Sequence, residues 1–449
     1  MKKVLSVVII LIIVGLFGYF LFQDHQRATT YTPTQPISGD NITSIIVPHF
    51  NTFADKRLEL LSNIWTQYSA ENIILVSVDH FNSGSTNITT TDKDWTTSEG
   101  KLTANKDLVR KLADSGIATS DESAFAKEHG ISNIVPDILK SKIGGSVTPI
   151  IIKDTTPRAD VDKLADWISA NAHGAYLIAS VDFSHYQPNA LAKVHDQFSI
   201  QALENNDPDK IWAAESDSPQ TLYLAQKVAA KNSATNFNLF YNSNSGELNK
   251  NDDAETTSVV LGYYSNKGLE NPPAGGEPST SFVIAGDAMF DRNVWQTFKS
   301  SGLEHIFDNF GTRVFRGTDL AMINLEGPVS EKTIPGIQTG GMSFNFQPEV
   351  PGVLKYLNIN SVSLANNHTN NAGTSGFAST KKMLDKSSIK YFGQPSGFSE
   401  ASVLRVEGGI PVSIIGIMAL DDFDESAIET KIKSEKSAGR AVIIFPHWG

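Results

Sequence analysis

No cysteine occurs in the 449 residues of this sequence. Disulfides, thiolate metal ligands and thiol nucleophiles are therefore excluded in any compartment, and a metal ion can be held only by histidine, carboxylate or amide oxygen. Positive charge is also in deficit: 37 Lys and Arg face 49 Asp and Glu, a net charge of -12, with no basic run to offset it. Such a chain repels a phosphate backbone, so no nucleic acid partner is expected. Internal repeats and low-complexity tracts are absent. What is present, 40% hydrophobic and 19% charged residues, is the composition of a folded globular chain. Its length exceeds what one hydrophobic core organises and predicts at least two domains.

A single long apolar run, Val4 to Phe22, carries no charge. As a helix it is long enough to cross the ~30 Å hydrocarbon layer of a bilayer. Lys2 and Lys3 precede it, so the positive-inside tendency keeps the terminus in the cytoplasm and sends the rest of the chain across. A cleaved signal peptide would have a shorter apolar core followed by small residues, whereas Tyr19-Phe20-Leu21-Phe22 is bulky. The expectation is a single-pass transmembrane anchor over residues 1–22, a polar tether over 23–40, and extracytoplasmic domains held at the cell membrane.

Beyond the tether, short β-branched runs alternate with amphipathic helical patterns, the signature of α/β architecture with largely parallel or mixed sheets. Strands are expected near Ser44–Val47, Ile73–Val78, Thr148–Ile152, Tyr176–Val181 and Ser258–Tyr264. Helical patterns cover Lys56–Tyr68 and Asp160–Ala170. The stretch 265–280, with Pro272-Pro273-Ala274-Gly275-Gly276 at its centre, has no apolar period and reads as a linker. It divides an α/β domain at 41–264 from a second at 281–449. The second restarts with strands near Phe282–Ala285, Leu320–Ile323, Val362–Leu364, Val412–Ile417 and Val442–Phe445, with helical patterns at Val350–Leu357 and Ser375–Leu384.

In open α/β sheets ligands bind beyond the carboxyl ends of strands, so polar residues just after apolar runs are the informative ones. The first domain offers Pro48-His49, Asp79-His80 and Ser180-Val181-Asp182-Phe183-Ser184-His185-Tyr186, with Glu128-His129 between. Imidazoles joined by a carboxylate suit a divalent ion. This order of motifs resembles the Memo family, including the AmmeMemoRadiSam system protein B, whose fold is similar to class III extradiol dioxygenases. The resemblance covers Ile42 to Tyr264. It implies a metal pocket at His49, His80 and His185, with Asp182 and His129 nearby. The family commonly presents a cysteine to this pocket; Asp217 is the expected occupant of that position here, an exchange of soft sulfur for hard oxygen that favours Fe or Zn over copper.

The second domain ends its strands with Gly286-Asp287, Asn324-Leu325-Glu326, Ala365-Asn366-Asn367-His368 and His447-Trp448-Gly449. Carboxylates, an amide and histidines in that arrangement suit a hard or borderline cation that polarises a bound oxygen and acidifies a bound water. His368 is placed to protonate a leaving group and Arg292 to bind an anionic substrate. These residues resemble the CapA family of capsule and poly-gamma-glutamate synthesis proteins, related to calcineurin-like metallophosphoesterases. The resemblance implies metal ligands at Asp287, Glu326, Asn367 and His447, with His368 as the acid. Met289 stands where the wider phosphoesterase pattern has the histidine of Asp-x-His. That pattern also continues to a further histidine-bearing strand end, so the sequence reads as a piece of a longer one.

Together these features predict a membrane-anchored protein of capsule or poly-gamma-glutamate biosynthesis. It would carry a CapA-type metal-dependent hydrolase-like domain and a Memo-like metal pocket, with Mn, Zn or Fe as cofactor and an anionic cell-envelope polymer or its synthase as partner. The alternative is a non-catalytic scaffold that binds envelope polymer through degenerate sites.

Overall fold

The computed structural model describes residues 37–39, 41–65, 70–269, 279–302, 306–307, 314–330, 343–420 and 422–448. The apolar segment Val4–Phe22, expected to anchor the chain, lies outside them. Among the described residues no helix is long and apolar enough to cross a membrane. The chain divides into two compact units, one ending at Asp196 and resuming over Ser216–Pro273, the other comprising Gln197–Glu215 and Ala274–Gly449.

The first unit contains strands β1 (Ser44–Val47), β2 (Ala70–Val78), β3 (Ile88–Thr90), β4 (Trp95–Thr97), β5 (Gly100–Ala104), β6 (Thr119–Ser120), β7 (Gly144–Ile152), β8 (Tyr176–Ser180), β9 (His185–Gln187), β10 (Asn236–Asn244) and β11 (Thr256–Ser265). Its main sheet runs β10-β11-β1-β8-β2-β7-β3-β6. The central four, β1-β8-β2-β7, are parallel throughout. Both faces of such strands are covered, which is why β2 reads as an unbroken apolar run: Ile73, Ile74, Leu75 and Val76 are all fully buried. Ile73 and Leu75 join one core cluster with Leu60, Leu61 and Ile64 of helix Ala54–Trp65 and Ile138 of helix Val135–Ser141. Each such side chain contributes roughly 1.5–3 kcal/mol by leaving water. β10 escapes the sequence reading because its segment, Asn-Phe-Asn-Leu-Phe-Tyr-Asn-Ser-Asn, is rich in asparagine. It lies at the end of the sheet, paired only with β11 along the sheet order, where polar strands are tolerated.

The described residues of the second unit form two sheets. β12 (Phe282–Ala288), β13 (Leu320–Leu325), β14 (Ser361–Ser363) and β15 (Lys390–Phe392) form a parallel sheet in that order. β16 (Val403–Val406) runs antiparallel to β17 (Val412–Met418), which is parallel to β18 (Ala441–His447). Alternation along β13 sorts its side chains between two cores. Leu320 and Met322 pack with Leu404, Val412 and Ile414 of the second sheet, whereas Ala321, Ile323 and Leu325 pack with Val353 and Leu354 of helix Val350–Tyr356 and Leu384 of helix Gly373–Lys386. The layers are therefore helix, sheet, sheet, with Ile428 of helix Glu425–Ser437 against Ile415 and Ile417 outside the second sheet. That helix also carries buried Glu435, which accepts from Ser413 Oγ at 2.7 Å and pairs with Arg405 and with Lys431 at 3.0 Å. The Arg405 guanidinium, together with Ser413 and Lys431, pulls the Glu435 carboxyl down to about 2 against the opposing effect of burial.

Candidate functional site

In the first unit β1, β8 and β2 are parallel neighbours, so their carboxyl ends lie side by side. His49 follows β1, Asp182 follows β8, and Asp79 and His80 follow β2. Asp79 builds the loop: its carboxylate accepts from the backbone N–H of Ser83 at 2.9 Å and Gly84 at 2.8 Å. Asp182 Oδ1 accepts from the N–H groups of His49 and Phe50, both at 3.1 Å, and so fixes the turn that aims His49. Arg57, itself buried, donates to the carbonyl of Pro48 at 2.8 Å from the other side.

Hydrogen bonds assign the imidazole tautomers. Ser180 Oγ gives its one proton to the Gly130 carbonyl at 2.6 Å, so it accepts from His49 Nδ1 at 3.2 Å. His49 Nε2 then faces Asp217 Oδ2 at 3.0 Å and Asp182 Oδ2 at 3.2 Å. A lone pair aimed at two carboxylates requires a proton or a cation between them. His80 donates from Nδ1 to buried Glu128 at 2.6 Å, which leaves its Nε2 3.6 Å from Asp217 Oδ2. Glu128 also accepts from the backbone N–H groups of His80 and Gly130. This is the carboxylate–histidine pairing that orients metal-ligating imidazoles.

Three rings crowd together: His49 and His80 centroids lie 4.7 Å apart, His49 and His129 5.2 Å, and His80 and His129 4.0 Å. Donor atoms of His49, His80 and His129 form one group with metal-binding spacing, and those of His49, Asp182 and Asp217 form a second. The third imidazole gathered by the fold is thus His129, where the resemblance implied His185. The His185 ring donates from Nδ1 to the carbonyl of Phe183 at 2.6 Å, two residues back in the same turn. Its charge still acts on Asp182 and Asp217.

Burial opposes the charged form of every group here, and neighbours decide the outcome. His49 is held above its ordinary value because Asp182 and Asp217 outweigh desolvation. His80 rises to about 9 despite burial, through the facing Asp217 carboxylate and its hydrogen bond to Glu128. Burial and the charges of His80 and His49 push His129 down. Asp182 is raised by burial, while His49 and His80 hold Asp217 well below the usual carboxylate range against its own desolvation. Asp217 Oδ1 is buried with no hydrogen-bond partner. Three imidazoles, a depressed carboxylate and an unsatisfied carboxylate oxygen fit a divalent ion.

In the second unit the parallel strands β12, β13 and β14 bring Asp287, Asn324 and Glu326, and the turn Asn366-Asn367-His368, to one end of their sheet. His447 closes β18. Donor atoms of Asp287, Glu326 and His447 form a group with metal-binding spacing. Asn367 Oδ1 lies 3.0 Å from His447 Nε2, which is 3.7 Å from Glu326 Oε1. His368 Nε2 is 3.8 Å from the same Glu326 oxygen. Asp287, Glu326, Asn367 and His447 thus lie near one another, and two carboxylates beside imidazole and amide oxygen fit a hard or borderline divalent ion. Glu326 is raised, first by burial and further by the Asp287 charge, with His447 and His368 opposing.

His368 donates from Nδ1 to Asn371 Oδ1 at 3.0 Å, an oxygen identified by the Phe344 N–H that it also accepts at 2.8 Å. Its ring packs on Phe344, with centroids 4.3 Å apart. The Arg292 guanidinium lies over the same Phe344 ring at 4.8 Å. Arg292 begins its helix with φ of 56°, the left-handed region, directly after Asp291 has capped it. Asn371 and Phe344, which the sequence did not point to, complete the second centre, while Asn324, Asn366 and Glu128 stood in the quoted motifs without an assigned role. Asn324 had a signal, since it stands two residues before Glu326 and shares its face of β13. Asn371 and Phe344 depend on contacts between distant segments.

The fold and the strand-end clusters define a two-unit α/β protein with a histidine-rich metal-compatible pocket in one unit and a carboxylate-rich one in the other. The chain belongs to the family described as Memo-like protein, which matches residues 24–258. Residues 281–449 match the family described as bacterial capsule synthesis protein PGA_cap. A MEMO1 family protein of Nitrosopumilus maritimus is 25% identical over 149 residues, 32% of this chain and 53% of that protein. One from Caldivirga maquilingensis is 22% identical over 195 residues, 42% of this chain and 69% of that protein. The chain thus spans about half of the first relative's length. A solved structure of an uncharacterized Escherichia coli K12 protein aligns at 13% identity with a TM-score of 0.37, covering 49% of this chain and 100% of that one, a likeness too weak to carry an argument.

Proposed function

We propose that the chain is a membrane-anchored extracytoplasmic protein of capsule or poly-gamma-glutamate biosynthesis whose second unit is a metal-dependent hydrolase of an anionic polymer. The observation that carries the hydrolase reading is the meeting of Asp287, Glu326, Asn367 and His447 beside His368. The match of residues 281–449 to capsule synthesis proteins supports the polymer, and the apolar run Val4–Phe22 behind Lys2 and Lys3 supports the anchor. Glu326, His447 and Asn367 would hold a divalent ion, with Asp287 beside them, and the ion when bound would supply Lewis acidity and an acidic water. His49, His80, His129 and Asp217 would hold a second ion in the Memo-like unit, for which no reaction is proposed.

His368 has a defined task. Asn371 holds its Nδ1–H, so only Nε2 is free to exchange a proton with substrate. That Nε2 lies 3.8 Å from Glu326 Oε1, at the edge of the donor set, where it can hand a proton to a leaving group. Phe344 fixes the ring plane, and the Arg292 guanidinium on the same aromatic ring supplies the positive charge that a polyanion needs in a chain of net charge -12.

The test is hydrolysis of poly-gamma-glutamate by the full chain with Mn or Zn. His368→Ala should lower turnover on the order of 100-fold or more, as loss of a general acid does, while polymer binding by sedimentation stays unchanged. Binding without any metal-dependent turnover in the unmutated protein would favour the scaffold.

A further inference from the structure

One amide in the second unit has an orientation fixed by a chain of hydrogen bonds. Asn366 Oδ1 accepts from the backbone N–H groups of His368 at 3.0 Å and Thr369 at 2.7 Å, so the opposite end of its side chain is the NH2 group. That NH2 donates to the Leu325 carbonyl and to Asn324 Oδ1, both at 2.9 Å. Asn324 Oδ1 is thereby committed as an acceptor. Its Nδ2 must point the other way, and there it meets Asp287 Oδ1 at 2.7 Å, Glu326 Oε2 at 2.5 Å and His447 Nδ1 at 3.3 Å.

Three acceptors converge on an NH2 group that has two hydrogens. Two carboxylate oxygens and an imidazole nitrogen around one point are the donor set of a divalent cation, and a neutral nitrogen occupies that point instead. The remaining donors face elsewhere. Glu326 Oε1 lies 3.7 Å from His447 Nε2 and 3.8 Å from His368 Nε2, with Asn367 Oδ1 3.0 Å from His447 Nε2. Glu326 and His447 thus each turn one atom toward the Asn324 amide and the other toward a second donor set.

We infer that Asn324, locked by Asn366, fills one of two cation positions, so that the second unit binds a single ion at Glu326, His447 and Asn367 and is not a two-metal centre. This rests on the reading of the second unit as a metal site and adds to it the number of ions and the role of a residue that is not itself a ligand. Asn324 is a positioning residue: its amide neutralises the Asp287 and Glu326 oxygens by hydrogen bonding and removes them from competition for an ion. An aspartate at the same place would present an oxygen between those donors, and a carboxylate can bridge two ions where an amide nitrogen cannot.

The experiment is a Mn(II) titration of the full chain followed by electron paramagnetic resonance, on the unmutated protein and on Asn324→Asp, Asn366→Ala and Glu326→Gln. Two manganese ions sharing a bridging ligand are exchange-coupled, whereas an ion in the first unit shares no ligand with one in the second and gives an isolated-ion spectrum. At saturation the unmutated chain should show isolated ions only. Asn324→Asp should bind one additional ion and show a coupled pair. Asn366→Ala, which frees the Asn324 amide to turn its oxygen inward, should tighten Mn binding several-fold by adding that oxygen to the donors. A coupled pair in the unmutated chain overturns the inference, as does an Asn324→Asp spectrum that stays uncoupled with no added ion. Identical ion counts for the unmutated chain and Glu326→Gln would remove the metal site beneath it, an outcome distinct from either of those.

Discussion

The amino-terminal centre packs three imidazoles within 5.2 Å of one another around carboxylates buried by the sheet. The carboxy-terminal centre has one bridging imidazole, His447, among carboxylate and amide oxygens, and its Asp287 side chain is 58% exposed. The first is held by backbone-directed bonds, since Asp182 and Glu128 each accept main-chain N–H groups while touching a histidine. The second is held by side-chain amides relayed across strands. The same device, polar residues at the ends of parallel strands, yields a borderline nitrogen-rich pocket in one unit and a harder oxygen-rich one in the other.

Exchanging the donor type should sharpen that contrast most. Asp217→Cys puts a thiolate beside His49 and His80 and should raise the affinity of the first unit for Zn by about 100-fold, relative to Mn, because soft sulfur selects softer ions. Competition titration checks it, and an unchanged Zn-to-Mn ratio would place Asp217 outside the coordination sphere. Next in size, Glu128→Gln loses the carboxylate that holds His80 and should cost the first unit about 10–100-fold in metal affinity. Ion binding in the second unit should be unaffected, and loss at both units would point to a general folding defect.

The smallest effects are in pH dependence, and they have opposite signs. His80 in the metal-free chain is raised to about 9, so its stabilising contribution is complete below the unfolded value near 6.5 and is lost as pH climbs through 9. Glu435 is lowered to about 2, so its contribution is complete above the unfolded carboxylate value and is lost as pH falls from about 4.3 toward 2. Urea melts should show His80→Gln abolishing a loss of about 2 kcal/mol on the alkaline side. Glu435→Gln should flatten only the acid limb. A single variant that altered both limbs would contradict the assignment of each limb to its own unit.

Much of this was legible before folding. Apolar runs located β1, β2, β8, β13 and β17 because buried strands are apolar on both faces and need no partner to be recognised; β12, partly exposed, was located by its run Phe282–Ala285 alone. The polar residues after them followed from the same logic; His49, His80 and Asp182 lie together in the first unit and Asp287, Glu326 and His447 in the second, whereas His185 turns onto its own backbone. Asp217 was placed by its resemblance position, and it stands 3.0 Å from His49 Nε2. What could not be read was partnership across long separations. Glu128 and His80 are 48 residues apart, and no local pattern says that one carboxylate will hold that ring. The exchange of His185 for His129 has the same origin: the turn Phe183–His185 bends the ring of His185 onto its own backbone, a decision made by a few dihedral angles. Asn324 was visible as a motif residue, but its role as a cation surrogate depends on which way an amide faces, and that is set by Asn366 from the neighbouring strand end.

The proposed ion of the second unit is held jointly by Glu326 and His447, from strands of different sheets. Equilibrium dialysis of the full chain against Mn measures it directly, comparing the unmutated protein with Glu326→Gln, with His447→Ala and with the pair. Each single variant should lose the same one ion per chain, and the pair no more than either alone, since both remove one site. Retention of the full manganese content by both variants would contradict the account.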